Sequence, residues 1–477
     1  MIKLLRLNKA VVIILLLILG VIFVYGQSRS TTRKDREDRP SYVIMISIDG
    51  MVPDYYTAPK QVGLHAPNLA LMKSGGAYAE GVEGVYPTVT YPSHTTLVTG
   101  VRPATHGIVQ NRIFEAPTDP QTRSWYWYAN ALKTETLWTQ AKKAGLVTAA
   151  VGWPVTVRAE IDYNVPEIYD PNENPPTWNM AAQNSTPGLL EKALGSDLGK
   201  NLSIDDRLTT VSEFIIKSHR PNLLLIHLIE LDGVHHRNGP RTKPAIEMAE
   251  REDSYIGRII EATRQAGIFE KTSFLIVSDH GFSKISKKYE PNVVLAKEQL
   301  ITLDANGAAV SWKAAAWPAG GSCAIILRDM ADKETEAKVT AIFSKLAKDK
   351  NSPIRQISVR DDLRRLGAIP QATLMLEAAP GYSFDDALTG PEVRDSGETY
   401  RGTHGYLPTS SEMRASLIIY GVGARNGAKL PLARMIDIAP TVATLLQLNL
   451  PQAEGKQIKE LIKPSVITEN KASRSAQ

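Results

Sequence analysis

A chain of 477 residues with 43% hydrophobic and 22% charged side chains can build one large α/β domain or two smaller ones, and no segment of it is of low complexity. Its formal charge of +5 includes Lys3, Arg6 and Lys9; without residues 1–26 the balance is 52 basic against 50 acidic residues, which gives no electrostatic case for a polymeric nucleic-acid partner. The single cysteine, Cys323, excludes an intrachain disulfide, and for an exported chain that fits a bacterial envelope better than a eukaryotic secretory route.

Residues 1–26 join a basic start to an apolar run over Ala10–Tyr25 and end in Val24-Tyr25-Gly26. They read as a signal peptide cleaved after Gly26, or, if uncleaved, as an N-terminal anchor. The protein is therefore expected outside the cytoplasm, periplasmic or secreted in the first case and membrane-held through that segment alone in the second. Residues 27–40 read as a polar linker.

Tyr42 to Ile48 predicts a buried strand that ends in Asp49-Gly50. Pro67 to Ser74 predicts a helix stopped by Gly75-Gly76. The stretch Tyr86-Pro87-Thr88-Val89-Thr90-Tyr91-Pro92-Ser93-His94 is a Pro-rich junction leading into a helix over Ser93–Val98. A hydroxyl there sits near the positive helix end, a setting that favours an alkoxide and an anionic substrate, and Thr90 is the candidate. Taken alone, such a threonine is more often a cap. Arg102 to Asn111 reads as a loop and Trp125 to Tyr128 is an aromatic cluster.

Thr136–Ala144 predicts a helix and Val147–Val151 a strand; residues 160–187, rich in Pro and Asn, read as irregular. A helix over Asp205–Ser218, a strand over Leu223–Leu228, a loop over Asp232–Pro240 and a long helix over Pro244–Ala266 follow. Ser273–Ser278 predicts a strand ending in Asp279-His280-Gly281. Residues 296–400 hold a helix near Asp332–Asp349 and strands around Ala324–Leu327 and Leu374–Glu377. A strand over Ala415–Tyr420 and a helix over Ile436–Leu446 complete the pattern. Strands alternating with helices predict a mostly parallel sheet covered on both faces. Asp49, Thr90, Asp232 and Asp279 then fall just past strand ends, where such sheets hold their ligands.

Asp232-x-x-x-His236, Asp279-His280-Gly281 and Thr403-His404-Gly405 offer carboxylate and imidazole donors without thiolates, which suits catalytic Zn²⁺ or an ion such as Mn²⁺. A lone His404 would usually be a hydrogen-bonded structural residue. Two adjacent polar groups at a strand end, such as Asp279 and His280, cost stability unless something uses them.

Together with Ile46-Ser47-Ile48-Asp49-Gly50, Pro87 to Pro92, Gly239-Pro240 and Met435 to Thr441, these motifs occur in an order that resembles the nucleotide pyrophosphatase/phosphodiesterase family of the alkaline phosphatase superfamily. The resemblance spans roughly residues 41–450. It implies an alkaline-phosphatase-like three-layer α/β sandwich, with a central mostly parallel sheet, helices on both faces and a smaller inserted region. The catalytic domain would run over 41–455, with 296–400 as a cap or insert and 456–477 as a polar tail. It implies two Zn²⁺ ions, one on Asp232, His236 and His404 and the other on Asp49, Asp279 and His280 with the Thr90 oxygen. Thr90 would attack phosphorus and form a phospho-threonine, and Asn111 would donate to a phosphoryl oxygen.

The chain departs from the family pattern at Tyr91, Ser93 and His235, none a proposed ligand; spacing favours His236 over His235, and His94, His106 and His227 read as structural. Cys323 lacks the Cys-x-Pro-x-Arg context of sulfatases in that superfamily. Few cations follow Val151, which favours a diester over a monoester, and Tyr91, Trp153 and Tyr169 are candidates for an aromatic wall beside the substrate. The expected substrate is a small phosphate ester or anhydride, nucleotide-type first. The alternatives are a phosphomonoesterase, a phosphonate hydrolase, a lipid head-group phosphodiesterase or a non-catalytic envelope binding protein.

Overall fold

A computed structural model describes residues 40–169 and 178–467. The expected signal segment, residues 27–39 of the linker, residues 170–177 and the last ten residues of the tail lie outside the described residues. Among the described residues no helix is long and apolar enough to cross a membrane.

Seven strands carry labels: β1 (Tyr42–Ile48), β2 (Ala77–Glu83), β3 (Thr148–Trp153), β4 (Tyr163–Pro166), β5 (Leu223–Leu228), β6 (Thr272–Val277) and β7 (Ser283–Tyr289). The main strands of the central sheet run in the order β2, the Ala415–Gly421 strand, β6, β1, β5, β3, β4, and the short strands Lys429–Leu430 and Ala433–Arg434 pair with β2 beyond that end. Pairing is parallel from β6 through β4, while the Ala415–Gly421 strand runs against both of its neighbours. β1 is the central strand, and its alternation divides the core. Ile44, Ile46 and Ile48 face the helices Pro67–Gly75, Ile204–His219 and Lys243–Gln265. Val43 and Met45 face the helices Thr90–Thr99, Leu137–Lys143 and Ile438–Leu445. A sheet apolar on both faces must be covered on both, so this is the three-layer α/β sandwich the pattern predicts.

Residues within 296–400 form a second, antiparallel sheet in the order Ala314–Ala319, Ser322–Leu327, Ala372–Ala378, Ile354–Val359. It has its own core of Ile325, Val339, Phe343, Leu374 and Leu376. It abuts the segment around His404: Gly321 N–H donates to His404 O at 2.7 Å. A Cβ on Gly405, which has φ +93°, would lie 1.7 Å from Ala319 O, so only glycine permits this approach.

Five local expectations need correction, the first being residues 160–187, which hold β4 and a helix over Trp178–Gln183 where an irregular segment is expected. Asp232–Pro240 is a helix, Glu230–Asn238, and not a loop. Its Asp-Gly and Asn-Gly-Pro sequences resemble turns, but the buried Asp205 carboxylate accepts Ile229 N–H at 2.9 Å and Glu230 N–H at 2.7 Å, satisfying the helix start from another element. The helix expected from Ser93 begins at Thr90, and Arg102–Asn111 contains a helical turn, Pro103–His106. β7, lysine-rich on its open face, escaped the hydrophobic pattern; it pairs with Gly402–Thr403 and so fixes the chain just before His404. Ile458, Leu461, Ile462 and Val466 are buried in the core, so the packed body runs past residue 455.

Candidate active site

The carboxyl edge of the central sheet gathers the candidate residues. Asp49 follows β1, Asp279 and His280 follow β6, and Asp232 and His236 share one face of the helix after β5. His404 arrives on the segment between β7's partner strand and the insert contact. Two donor groups result, Asp232/His236/His404 and Asp49/Asp232/His280, each with ligand atoms within 4.8 Å of one another. Asp232 belongs to both. Asp279 adjoins the second, its Oδ2 3.0 Å from His280 Nε2.

The histidine rings are oriented alike. His236 Nδ1 faces Gly402 O at 2.9 Å, His404 Nδ1 faces Thr88 O at 3.0 Å and His280 Nδ1 faces Gly281 O at 3.0 Å. A carbonyl only accepts, so each Nδ1 carries the hydrogen and each Nε2 turns its lone pair toward the carboxylates. His280 and His404 stack with centroids 3.6 Å apart and rings 8° from parallel. Among the described residues Asp49 Oδ1, Asp232 Oδ1, Asp279 Oδ2 and His280 Nε2 are buried with no hydrogen-bond partner. Lone pairs and carboxylate oxygens facing one another in a dry site repel unless a cation lies between them. The donor set therefore fits a metal ion with oxygen and imidazole ligands.

The electrostatics agree. Burial, then Asp279 and Asp232, push the Asp49 carboxyl well above its ordinary range. Burial also raises Asp279, but His280, His94 and His227 outweigh it and hold that carboxyl well below its range. Burial lowers His280, yet Asp279 and Asp49 drive it up to about 9, because its Nε2 faces both carboxylates. Burial, His280 and His236 push His404 well below its usual value.

Thr90 is the first residue of the Thr90–Thr99 helix and lines a cavity of about 970 Å³ with Asp49, Asn111, Asp232, His236 and His404. Its carbonyl accepts from His94 Nδ1 at 2.9 Å, and His94 Nε2 accepts from Ser47 Oγ at 2.9 Å, which ties the nucleophile candidate to β1. The helix start offers fewer open donors than expected, because Asn111 Oδ1 accepts Tyr91 N–H at 2.8 Å and Pro92 has none. The same bond orients Asn111: with Oδ1 committed, its two side-chain N–H bonds remain for a ligand.

The aromatic wall is different from the expected one. Tyr91 and Trp153 are fully buried: Tyr91 packs with Ile108 and Val155, and Trp153 lies edge-on to His94. Neither lines the cavity, because each points from its backbone position into the layer beneath the site. Tyr169 lines it and is 38% exposed, and beside it stands Trp125, ring centroids 4.8 Å apart. His235 is buried against the Tyr55 hydroxyl at 2.9 Å and belongs to neither donor group. Sequence reasoning passed over Glu167 and took His227 as structural; His227 bridges Glu167 Oε2 at 2.8 Å and Asp49 Oδ2 at 3.1 Å. A histidine inside the apolar run Leu223–Leu228 was the one available signal.

An open α/β sheet here gathers carboxylates, imidazoles and a hydroxyl at its carboxyl edge, which is the arrangement of a candidate metal site. Residues 43–407 match the type I phosphodiesterase / nucleotide pyrophosphatase family, and the chain belongs to that family, a family of metal-dependent hydrolases of phosphoester bonds. It is 26% identical over 260 residues to human ectonucleotide pyrophosphatase/phosphodiesterase family member 1, covering 52% of this chain and 24% of that relative. It is 24% identical over 255 residues to venom phosphodiesterase 2 of Crotalus adamanteus, covering 52% and 27%. The chain thus spans about a quarter of the length of the curated relatives it matches. The fold is that of human ectonucleotide pyrophosphatase/phosphodiesterase 5, with a TM-score of 0.63 at 19% identity over 88% of this chain and all of that one. The murine counterpart, an inactive threonine-to-alanine variant in complex with AMP, matches with a TM-score of 0.62 at 18% identity over the same shares.

Proposed function

We propose that this protein hydrolyses phosphodiester or pyrophosphate bonds of small nucleotide-type substrates through a phospho-threonine on Thr90. The observation that carries the reading is the common orientation of His236, His280 and His404, each donating Nδ1–H to a backbone carbonyl and turning Nε2 toward orphaned carboxylate oxygens. Two Zn²⁺ ions, one held by Asp232, His236 and His404 and one by Asp49, Asp279 and His280, would supply positive charge to the phosphoryl oxygens and the attacking and leaving groups.

Thr90 Oγ1 forms the bond to phosphorus as the bond to the leaving oxygen breaks, and water later cleaves the Thr90 ester. Asn111 donates its free amide hydrogens to a phosphoryl oxygen, where negative charge grows in the transition state. His94 keeps the Thr90 carbonyl, and with it the first turn of the helix, anchored to Ser47. Trp125 and Tyr169 offer a wall on which a base can stack. A cavity of about 970 Å³ has room for two substituents on phosphorus, which favours a diester over a bare monoester. Residues 1–26 would direct export, which N-terminal sequencing of the mature protein checks.

A panel of a bis-aryl phosphate, an aryl phosphate and a dinucleotide ester on Zn²⁺-loaded protein tests the reading. Faster turnover of the diester and the dinucleotide is expected. A preference for the monoester would overturn the diester assignment, and no turnover of any ester would favour a binding protein.

A further inference from the structure

Beside the donor groups stand two polar side chains that the proposed chemistry does not use: His227, buried beneath them, and Glu167, which is on the wall of the same cavity. His227 is fully buried on β5, the strand paired with β1, and sits opposite Ser47 in register. Its Nε2 lies 3.1 Å from Asp49 Oδ2. Its Nδ1 lies 2.8 Å from Glu167 Oε2 and 3.1 Å from Gly152 O. Both partners of Nδ1 are acceptors, so Nδ1 donates, while Nε2 is held by the Asp49 carboxyl group.

The ring is clamped on its flanks. His94 lies against it with centroids 4.0 Å apart, and Trp153 stands at 6.5 Å. The close passage of β3 depends on Gly152, whose φ is +70° and whose added Cβ would lie 2.8 Å from His227 O. Glu167 is held in turn by its N–H, which donates to Trp153 O at 3.2 Å. The consequence falls on Asp49. One of its oxygens, Oδ2, is committed to His227. The other, Oδ1, is buried, has no hydrogen-bond partner among the described residues and lies 3.3 Å from His280 Nε2. A free aspartate would rotate and share both oxygens; this one presents a single oxygen in a single direction.

We infer that Glu167 and His227 are positioning residues that lock Asp49 so that Oδ1 alone is offered to a divalent cation. The inference rests on the metal-centre reading above. Outer partners of this kind orient a ligand in advance, and their loss typically weakens metal binding by about 10–100-fold. Here the carboxylate of Glu167 fixes the ring and the ring fixes Asp49, so a substitution that never reaches the donor atoms still has a directed effect. Trp153 acquires a role as well, as part of the clamp on His227 rather than as a substrate wall.

The test uses the full chain with Zn²⁺ or Co²⁺. Glu167→Gln keeps size and shape and removes the anionic acceptor, and His227→Gln is the companion variant. Metal content is measured against graded chelator, Co²⁺ absorption reports ligand geometry, and the melting temperature of the metal-free protein reports stability. For Glu167→Gln one of two metals is expected to bind about 10–100-fold more weakly with an altered Co²⁺ spectrum, the other metal and the metal-free melting temperature being nearly unchanged. If Glu167→Gln leaves both affinities and the spectrum at wild-type values, the inference is overturned, whatever happens to stability or to His227→Gln. If the wild-type protein itself retains no metal, the metal-centre reading falls, and this inference with it.

Discussion

The two donor groups meet at Asp232 yet are built differently. Asp49, Asp279 and His280 come straight off adjacent strands β1 and β6, and the Asp279 and His280 side chains are 0% exposed. Asp232 and His236 come from a helix, and His404 from a segment held by β7 and the inserted sheet; the Asp232 and His236 side chains are 19% and 23% exposed. The strand-end group inherits rigidity from the sheet core. The helix-and-insert group depends on several weaker supports: the Asp205 cap, the contact of Gly402–Thr403 with β7 and the approach of Ala319 to Gly405. The difference teaches that one site can combine a buried half rooted in strand ends with a half that solvent reaches and that rests on contacts between separate elements.

Substitutions separate the halves. Thr90→Ala is expected to have the largest effect, a loss of turnover of about 10³-fold or more with metal content unchanged, read by single-turnover kinetics and metal analysis. Retained turnover would show that the strand-end half does not carry the nucleophile. Asp232→Asn removes a donor that lies within reach of both groups and should weaken the metal on His236 and His404 by at least about 100-fold and the metal on Asp49 and His280 by less, whereas His236→Ala should weaken only the first; titration with a chromogenic chelator distinguishes them. Equal behaviour of the two variants would break the division.

A smaller effect concerns pH. Burial pushes the Glu377 carboxyl of the inserted sheet up from an ordinary 4.5 to about 8, while both its oxygens accept Leu407 N–H, at 2.9 and 3.1 Å, three residues past His404. The folded chain keeps this proton where the unfolded chain has released it. The associated stability is therefore fully present below about pH 4.5 and is lost as pH rises through about 8. Glu377→Gln should flatten the fall in melting temperature between about pH 4.5 and 8, with little further difference in slope above about pH 8. Last, Trp125→Ala should raise KM for a nucleotide ester by roughly 3–10-fold and leave KM for a small aryl diester nearly unchanged.

Much of this was legible along the chain. Asp49 after an apolar run, Asp279-His280 after another, and the spacing of Asp232 and His236 named the strand ends and the donor types, because hydrophobic periodicity and local chemistry are written in adjacent residues. The same periodicity misread the segment after β5 as a loop, since the carboxylate that caps its helix, Asp205, lies on a different element. It also placed Tyr91 and Trp153 beside the substrate, because a one-dimensional reading sees an aromatic near the nucleophile but not the layer into which it points.

The amino-acid order alone settled the family, the parallel α/β architecture and the kinds of donor atom on offer. The packed chain decided which atoms of those residues face one another. It turned three imidazoles the same way through the carbonyls of Thr88, Gly281 and Gly402, shared Asp232 between two groups and set Glu167 and His227 behind Asp49. The physical reason is that donor identity is a local property of a residue, whereas the direction of a lone pair depends on backbone groups hundreds of residues away, brought close only by folding.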